Sequence, residues 1–185
     1  MTKTLDGKRA AILASDGFEQ AELTVPLQAL RSAGADVDIV SLKRGPIQGF
    51  NHLNPGDEVE ADLALSEADA DDYDALVLPG GAHNPDRLRI EDAALDFVRA
   101  FMDAGKPTAV ICHAPWILIN AGLAKGRTLT SYKTIRADLT NAGATVVDRE
   151  VVVDGNLITS RDPNDLPAFC AALVEQIGEG PTSRA

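Results

Sequence analysis

Pro107-Thr108-Ala109-Val110-Ile111-Cys112-His113-Ala114-Pro115-Trp116-Ile117-Leu118-Ile119 is a largely apolar run that changes character at its middle. Thr108 to Ile111 reads as a short buried strand, and Trp116 to Ile119 as the start of a helix. A cysteine at so sharp a strand-to-helix turn is held out above the sheet, beside the positive end of a helix. Both features favour a thiolate, which is the nucleophilic form. The plainer alternative is a buried, inert cysteine that happens to end a strand. The adjacent His113 and the turn context favour the nucleophile.

The same alternation continues on both sides of this run. Arg9 to Ala14 reads as a buried strand. Ala21 to Ala33 reads as a helix with Leu23, Leu27 and Leu30 on one face, stopped by Gly34. Val37 to Leu42 is the next strand, and Lys43 to Asp57 a loop or short edge hairpin. Ala75 to Leu78 is a strand ended by Pro79-Gly80-Gly81. Ala93 to Met102 is a helix with apolar Leu95, Val98 and Phe101. Beyond the elbow, Thr128 to Ser131, Thr145 to Val147, Val151 to Val153 and Leu157 to Ser160 read as strands, with Asp154-Gly155 as a hairpin turn. Thr134 to Asn141 reads as a helix, and so does the segment from Asn164 or Asp165 to Ile177. Strand and helix alternating with short connections predicts an α/β fold, a mostly parallel sheet with helices on both faces. No repeat or linker divides the chain. Residues 1–185 therefore read as one domain, with a core from about Arg9 to Ile177 and a frayed tail over 178–185.

Composition sets the broad class. A length of 185 residues suffices for one self-sufficient core. Aromatic residues make up only 4%, so aliphatic side chains must fill that core. The net charge of −11, without a Lys/Arg cluster, disfavours nucleic acid and anionic membranes as partners. No apolar stretch is long enough to span a bilayer, and no signal-peptide core follows the first charges, so a cytoplasmic location is expected. Two distant cysteines do not read as a disulfide framework. Three histidines without metal-binding spacing give no expectation of a metal, and no motif asks for a cofactor. Cys170, among Phe169, Ala171, Ala172 and Leu173, reads as core. His52 and His83 read as surface residues.

Ligands of such folds sit beyond the carboxyl ends of the strands. Three strand ends carry candidates there. Gly17-Phe18-Glu19 follows the first strand, Gly80-Gly81 the third, and Cys112-His113 the fourth. Glu19 is either an acid in the first turn of a helix or a carboxyl placed against the Cys112 sulfur, where a second anion would raise its pKa until it holds a proton. Glu22 reads as a solvated or structural residue. His113 either pairs with Cys112 at the strained elbow or packs there and contributes only its N–H. Gly80-Gly81 is either an ordinary tight turn or a bare backbone aimed at a developing oxyanion, with Gly81 and the elbow N–H groups as donors. The segment lacks the pattern of a nucleotide loop.

Taken together, these pieces resemble the PfpI-type intracellular protease and deglycase family, within the parkinsonism-associated deglycase superfamily. The resemblance rests on Gly17-Phe18-Glu19 with Glu22-Leu23, Asp74 to Gly81, Gly105-Lys106-Pro107, Ile111-Cys112-His113 and Thr130-Ser131-Tyr132. It continues through Asn141 to Ala144, Glu150 to Gly155, and Ser160-Arg161 with Asp165-Leu166. It implies a flavodoxin-like three-layer sandwich that assembles as a homodimer or higher homo-oligomer. It maps the nucleophile to Cys112, the acid touching it to Glu19 and the neighbouring histidine to His113. It also implies a carboxylate from another subunit that completes a Cys–His–acid arrangement, for which Asp86 is the candidate; a helix-start acid is its alternative. Gly80, Gly81, Trp116 and Tyr132 fall around the implied oxyanion and substrate pocket. The elbow departs from the family's usual Cys-His-Gly-Pro-Gln, with Ala114 in place of Gly and Trp116 in place of Gln.

The resemblance implies a stress-response cysteine hydrolase acting on small aldehydes, glycated adducts or peptides, with deglycase or glyoxalase activity favoured over protease activity by a narrow rim. The rival is a redox sensor without turnover, in which the same Cys112 is oxidised. A glutamine amidotransferase also uses a cysteine elbow, but no histidine follows His113 to supply its distant His–Glu pair.

Overall fold

The computed structural model describes residues 5–181. Its centre is a seven-stranded sheet in the order β11-β12-β8-β7-β1-β3-β6. The strands are β1 (Arg9–Leu13), β3 (Asp36–Ser41), β6 (Leu63–Ala64), β7 (Ala75–Leu78), β8 (Thr108–Ile111), β11 (Val152–Asp154) and β12 (Leu157–Ser160). All neighbours run parallel except β11 against β12, the hairpin foreseen at Asp154-Gly155. The strands read as continuous apolar runs because both faces are covered. Ala11, Leu13, Leu76, Leu78 and Val110 point into one core, which α3 (Asp92–Asp103), α4 (Pro115–Asn120) and α5 (Arg136–Asn141) complete. Ala10, Ile12, Val77, Ala109 and Ile111 point the other way, under α1 (Gln20–Ser32) and α6 (Leu166–Glu179). The result is the expected three-layer sandwich with helices on both faces.

The remaining strands form two small sheets. β2 (Phe18–Glu19), β4 (Gly45–Asn51) and β5 (Asn54–Ala61) make one, so the Lys43–Asp57 segment is a long hairpin whose second strand runs on to Ala61. β9 (Thr128–Leu129) pairs with β10 (Thr145–Val146) outside the central sheet, and both are shorter than the sequence suggests. A short helix, α2 (His83–Leu88), carries Asp86 in its first turn; the sequence offered a helix start there only as the alternative for Asp86. α6 continues two residues past Ile177; of the expected frayed tail, residues 182–185 lie outside the described residues. Among the described residues no helix is long and apolar enough to cross a membrane.

Taken in chain order, the parallel strands β3, β1, β7, β8 and β12 give the 2-1-3-4-5 order of a flavodoxin-like sheet. The chain leaves β1 in one direction for β3 and later returns to its other side for β7. That reversal opens a crevice at the carboxyl ends of β1 and β7, next to β8, and the candidate residues gather there.

Candidate active site

Cys112 occupies the turn between β8 and α4 with φ +64°. Only one other non-glycine residue described, His52, has a positive φ. This conformation costs a residue with a Cβ about 1–2 kcal/mol. The neighbouring strand β12 and the chain beyond β9 hold it in place: the Cys112 N–H donates to Ser160 O at 3.1 Å, and its carbonyl accepts from Tyr132 N at 2.8 Å. The helix behind the elbow has only six residues. The backbone N–H groups of Gly81 and His113, rather than a long helix dipole, meet the sulfur.

The acid against that sulfur is Glu22, and this corrects the assignment of Glu19. Glu19 is still in extended backbone as the N-cap of α1 (φ −70°, ψ 118°). Its carboxylate turns to the hairpin tip, where it accepts the His52 N–H at 3.1 Å. Three residues on, Glu22 falls on the inward face of α1 with Leu23, Pro26 and Leu30. It is fully buried and hydrogen-bonds Cys112. Its Oε2 accepts the Gly80 N–H at 2.7 Å, while its buried Oε1 has no hydrogen-bond partner among the described residues. Pro26, one turn later, has no N–H for the Glu22 carbonyl, so the helix ladder opens at the residue that carries the acid.

Gly80 is required for close packing. A Cβ there would lie 2.5 Å from Cys112 Cβ and 2.5 Å from Glu22 Oε2. Its N–H is already taken by Glu22, so it lies beneath the pocket and not on its wall. Gly81, at φ +82°, presents its N–H to the sulfur. Asn84 was not singled out in the sequence, yet it ties these loops together. Its Oδ1 accepts Ser15 N–H at 2.7 Å, and its Nδ2 donates to Pro79 O at 3.0 Å.

His113 lies on the other side of the sulfur. Its Nδ1 is 3.1 Å from Cys112 Sγ and its Nε2 is 3.2 Å from Thr134 Oγ1. It stacks on Tyr132 with ring centroids 4.7 Å apart, and Trp116 meets it edge-on at 5.3 Å. Trp116 thus stands behind the imidazole and not at the mouth. Its Nε1 donates to Asp138 at 2.8 Å, and the Arg89 guanidinium covers its ring. Asp86 is exposed on α2, and within the single chain it is not among the groups bonded to His113.

A cavity of 490 Å³ opens over the sulfur. Cys112, His113, Gly81, Tyr132 and Glu19 line it, and so does Glu22, which the sequence left as a solvated or structural residue. His52, Leu53, Asp162 and Asn164 are also part of the walls, and His52 is at the same time the surface residue that the sequence indicated, its side chain 83% exposed.

Burial is the main force on the titrating groups. It raises Glu22 to about 8, and the Glu19 charge adds to that. It pushes the Cys112 thiol up and the His113 imidazole down. The Glu22 charge also raises the thiol, whereas the Gly81 and His113 N–H groups pull it down. Burial thus opposes the resting thiolate expected from the elbow. Both members of the Cys112–His113 contact are shifted toward their neutral forms, so the imidazole is available to take the thiol proton. Cys170 is a buried core residue on α6, its thiol raised by burial to about 11.

The family model described as the DJ-1/PfpI family matches residues 8–176. Deglycase TK1284 of Thermococcus kodakarensis is 46% identical over 167 residues, 90% of this chain and 98% of that protein. Drosophila melanogaster DJ-1beta superposes with a TM-score of 0.85 at 31% identity, over 92% of this chain and 90% of that one. A two-domain Anabaena variabilis protein with DJ-1/ThiJ/PfpI-like and ferritin-like domains gives a TM-score of 0.88 at 37% identity; 92% of this chain corresponds to 48% of that one. A cysteine elbow at the switch point of a flavodoxin-like sheet, with a family match across nearly all of the sequence, places the chain in the DJ-1/PfpI family.

Proposed function

We propose that this chain is a cysteine-dependent hydrolase that acts on small aldehydes or on the adducts they form with amines. The observation that carries this is the 3.1 Å contact between Cys112 Sγ and His113 Nδ1, at the floor of a cavity sized for a small molecule. As the sulfur bonds to a carbonyl carbon, the thiol proton passes to Nδ1 and the carbonyl electron pair moves to oxygen. Gly81 and His113 N–H groups lie close enough to the sulfur to receive that oxyanion. The imidazolium then returns its proton to the oxygen or to a departing amine. With Nδ1 accepting from the thiol, Nε2 carries the hydrogen and Thr134 Oγ1 accepts it, which fixes the tautomer.

For a methylglyoxal adduct of an amine, loss of the amine leaves the aldehyde carbon on sulfur as a hemithioacetal; a proton shift from that carbon to the neighbouring ketone carbon gives a lactoyl thioester, which water hydrolyses, so the overall balance is adduct plus water giving free amine and lactate. The printed name of the Thermococcus relative, a deglycase, supports this class. A homo-oligomer in which a second copy brings Asp86 toward His113 is part of the same proposal.

Incubation with methylglyoxal adducts, followed by measurement of lactate, tests the reading. Cys112→Ala is expected to lower the rate at least about 100-fold, the scale of losing a positioned proton-transfer partner and its nucleophile. Equal lactate production by wild type and variant would overturn it.

A further inference from the structure

A second cavity, of 380 Å³, adjoins the first and shares Tyr132, Asp162 and Asn164 with it as walls. We propose that this second cavity is a carboxylate subsite, so that Cys112 reacts preferentially with molecules carrying a carboxylate beyond the reacting carbon. The proposal rests on the reading of Cys112 as the group that meets substrate.

Three cations line the cavity in a chain whose net charge is −11: Lys133, Arg136 and Arg161. Arg161 is committed to Asp165, whose side chain is only 4% exposed; Nε bonds one oxygen at 2.8 Å and Nη2 the other at 2.9 Å. Its Nη1 and the Nη2 of Arg136 then converge on the same atom, Asp148 Oδ1, each at 2.9 Å. Asp148 itself is 60% exposed, on irregular chain between β10 and β11. Two guanidiniums thus already hold a carboxylate at the rim, and one that solvent can reach. The Lys133 ammonium, on the same wall, has no partner among the described residues. Asp162 is the remaining anion, and its Oδ1 is engaged by the Asn164 N–H at 2.9 Å.

The three cations are matched in number by Asp148, Asp162 and Asp165, and both guanidiniums are engaged, so Lys133 is the cation left to pair with a carboxylate of a bound molecule. A carboxylate supplies one charge in the planar form that guanidinium groups bind. A dianionic phosphate would bring a second charge against Asp148, Asp162 and Asp165. The link to chemistry is direct: Tyr132 and Thr134 both touch His113, and Lys133 lies between them in sequence.

The test uses two maleimides with arms of equal length, one ending in a carboxylate and one in its amide. Their rates at Cys112 are followed by mass of the labelled protein. In wild type at low salt the carboxylate reagent is expected to react about fivefold faster, the scale of one favourable exposed charge pair. The chain's overall negative charge works in the opposite direction, so the preference cannot come from long-range attraction. Lys133→Met should bring the ratio toward one, and high salt should narrow it. Equal rates in wild type, or an unchanged ratio in Lys133→Met, would overturn the proposal. Inorganic phosphate protecting Cys112 better than acetate would overturn the choice of carboxylate. A parallel KM comparison uses methylglyoxal adducts of an amino acid and of its amide. Failure to consume either adduct would count against the hydrolase reading alone, because the labelling ratio reads the subsite without turnover.

Discussion

Glu22 holds its proton at a pH where an ordinary carboxyl has lost it, and that has a thermodynamic signature. Its native pKa lies near 8, against 4.5 for the ordinary group, with burial as the main cause. Between those values the native state binds a proton that the unfolded state has released. Stability is therefore lost as pH rises from about 4.5 to 8, with a limiting slope of about 1.4 kcal/mol per pH unit for this one group. Glu22→Gln keeps an oxygen to accept the Gly80 N–H and removes the titration. Urea unfolding at several pH values within that window should show the variant gaining on wild type as pH rises, with the two converging toward the acid end. A gap of constant size across the window would contradict a proton on native Glu22. The choice between Glu19 and Glu22 was open to a stricter reading of the sequence. Glu22 sits beside Leu23 and four residues before Pro26 on the buried stripe of α1, whereas Glu19 precedes the helix and leaves its periodicity.

The β4–β5 hairpin is the element that the sequence under-described, because Gly45, Pro46, Gly49, Asn54, Pro55 and Gly56 give turn signals along strands with few buried residues. The same physics hid α2, where Asn84 and Pro85 suggest a turn, although Asn84 is spent on bridging two loops. By contrast β1, β7 and β8 were legible, because burial on both faces leaves unbroken apolar runs. The hairpin matters to the site through its tip. His52 sits at φ +58° and Leu53 is 93% exposed, yet both line the cavity over Cys112. The Glu19 carboxylate holds that tip through the His52 N–H. Removing an acceptor that carries charge leaves a hydrogen bond unmade, worth about 1.5–3 kcal/mol. Hydrogen exchange at the His52 amide should accordingly quicken about tenfold or more in Glu19→Ala, while amides of β7 and β8 keep their protection. Unchanged exchange at His52 would mean that the tip is held by its own strands.

At the scale of the whole molecule, sheet order was the part that no local pattern encodes. The sequence supplies strands and helices in turn. The crossover from β3 and β6 back across β1 to β7 is what brings Glu22, Gly81 and Cys112 to one crevice, and it follows from packing both faces of the sheet. Asp86 belongs to this scale too. Its place on α2 is exposed, and the single chain gives His113 Nε2 a hydroxyl, Thr134 Oγ1, instead of a carboxylate. A hydroxyl can fix the imidazole tautomer but adds no charge to stabilise the imidazolium formed when the thiol loses its proton. If a second copy supplies Asp86, as proposed, then the nucleophile and the acid of each site belong to different chains. Cys112→Ala and Asp86→Asn should each be slow when purified alone. Mixed under conditions that allow subunit exchange, they should regain activity, because some mixed assemblies pair an intact Cys112 with an intact Asp86. The regained rate should grow with exchange time and vanish if the proteins are crosslinked before mixing. A fully active Asp86→Asn, or a mixture no faster than its two components, would show that each chain completes its own site with Thr134.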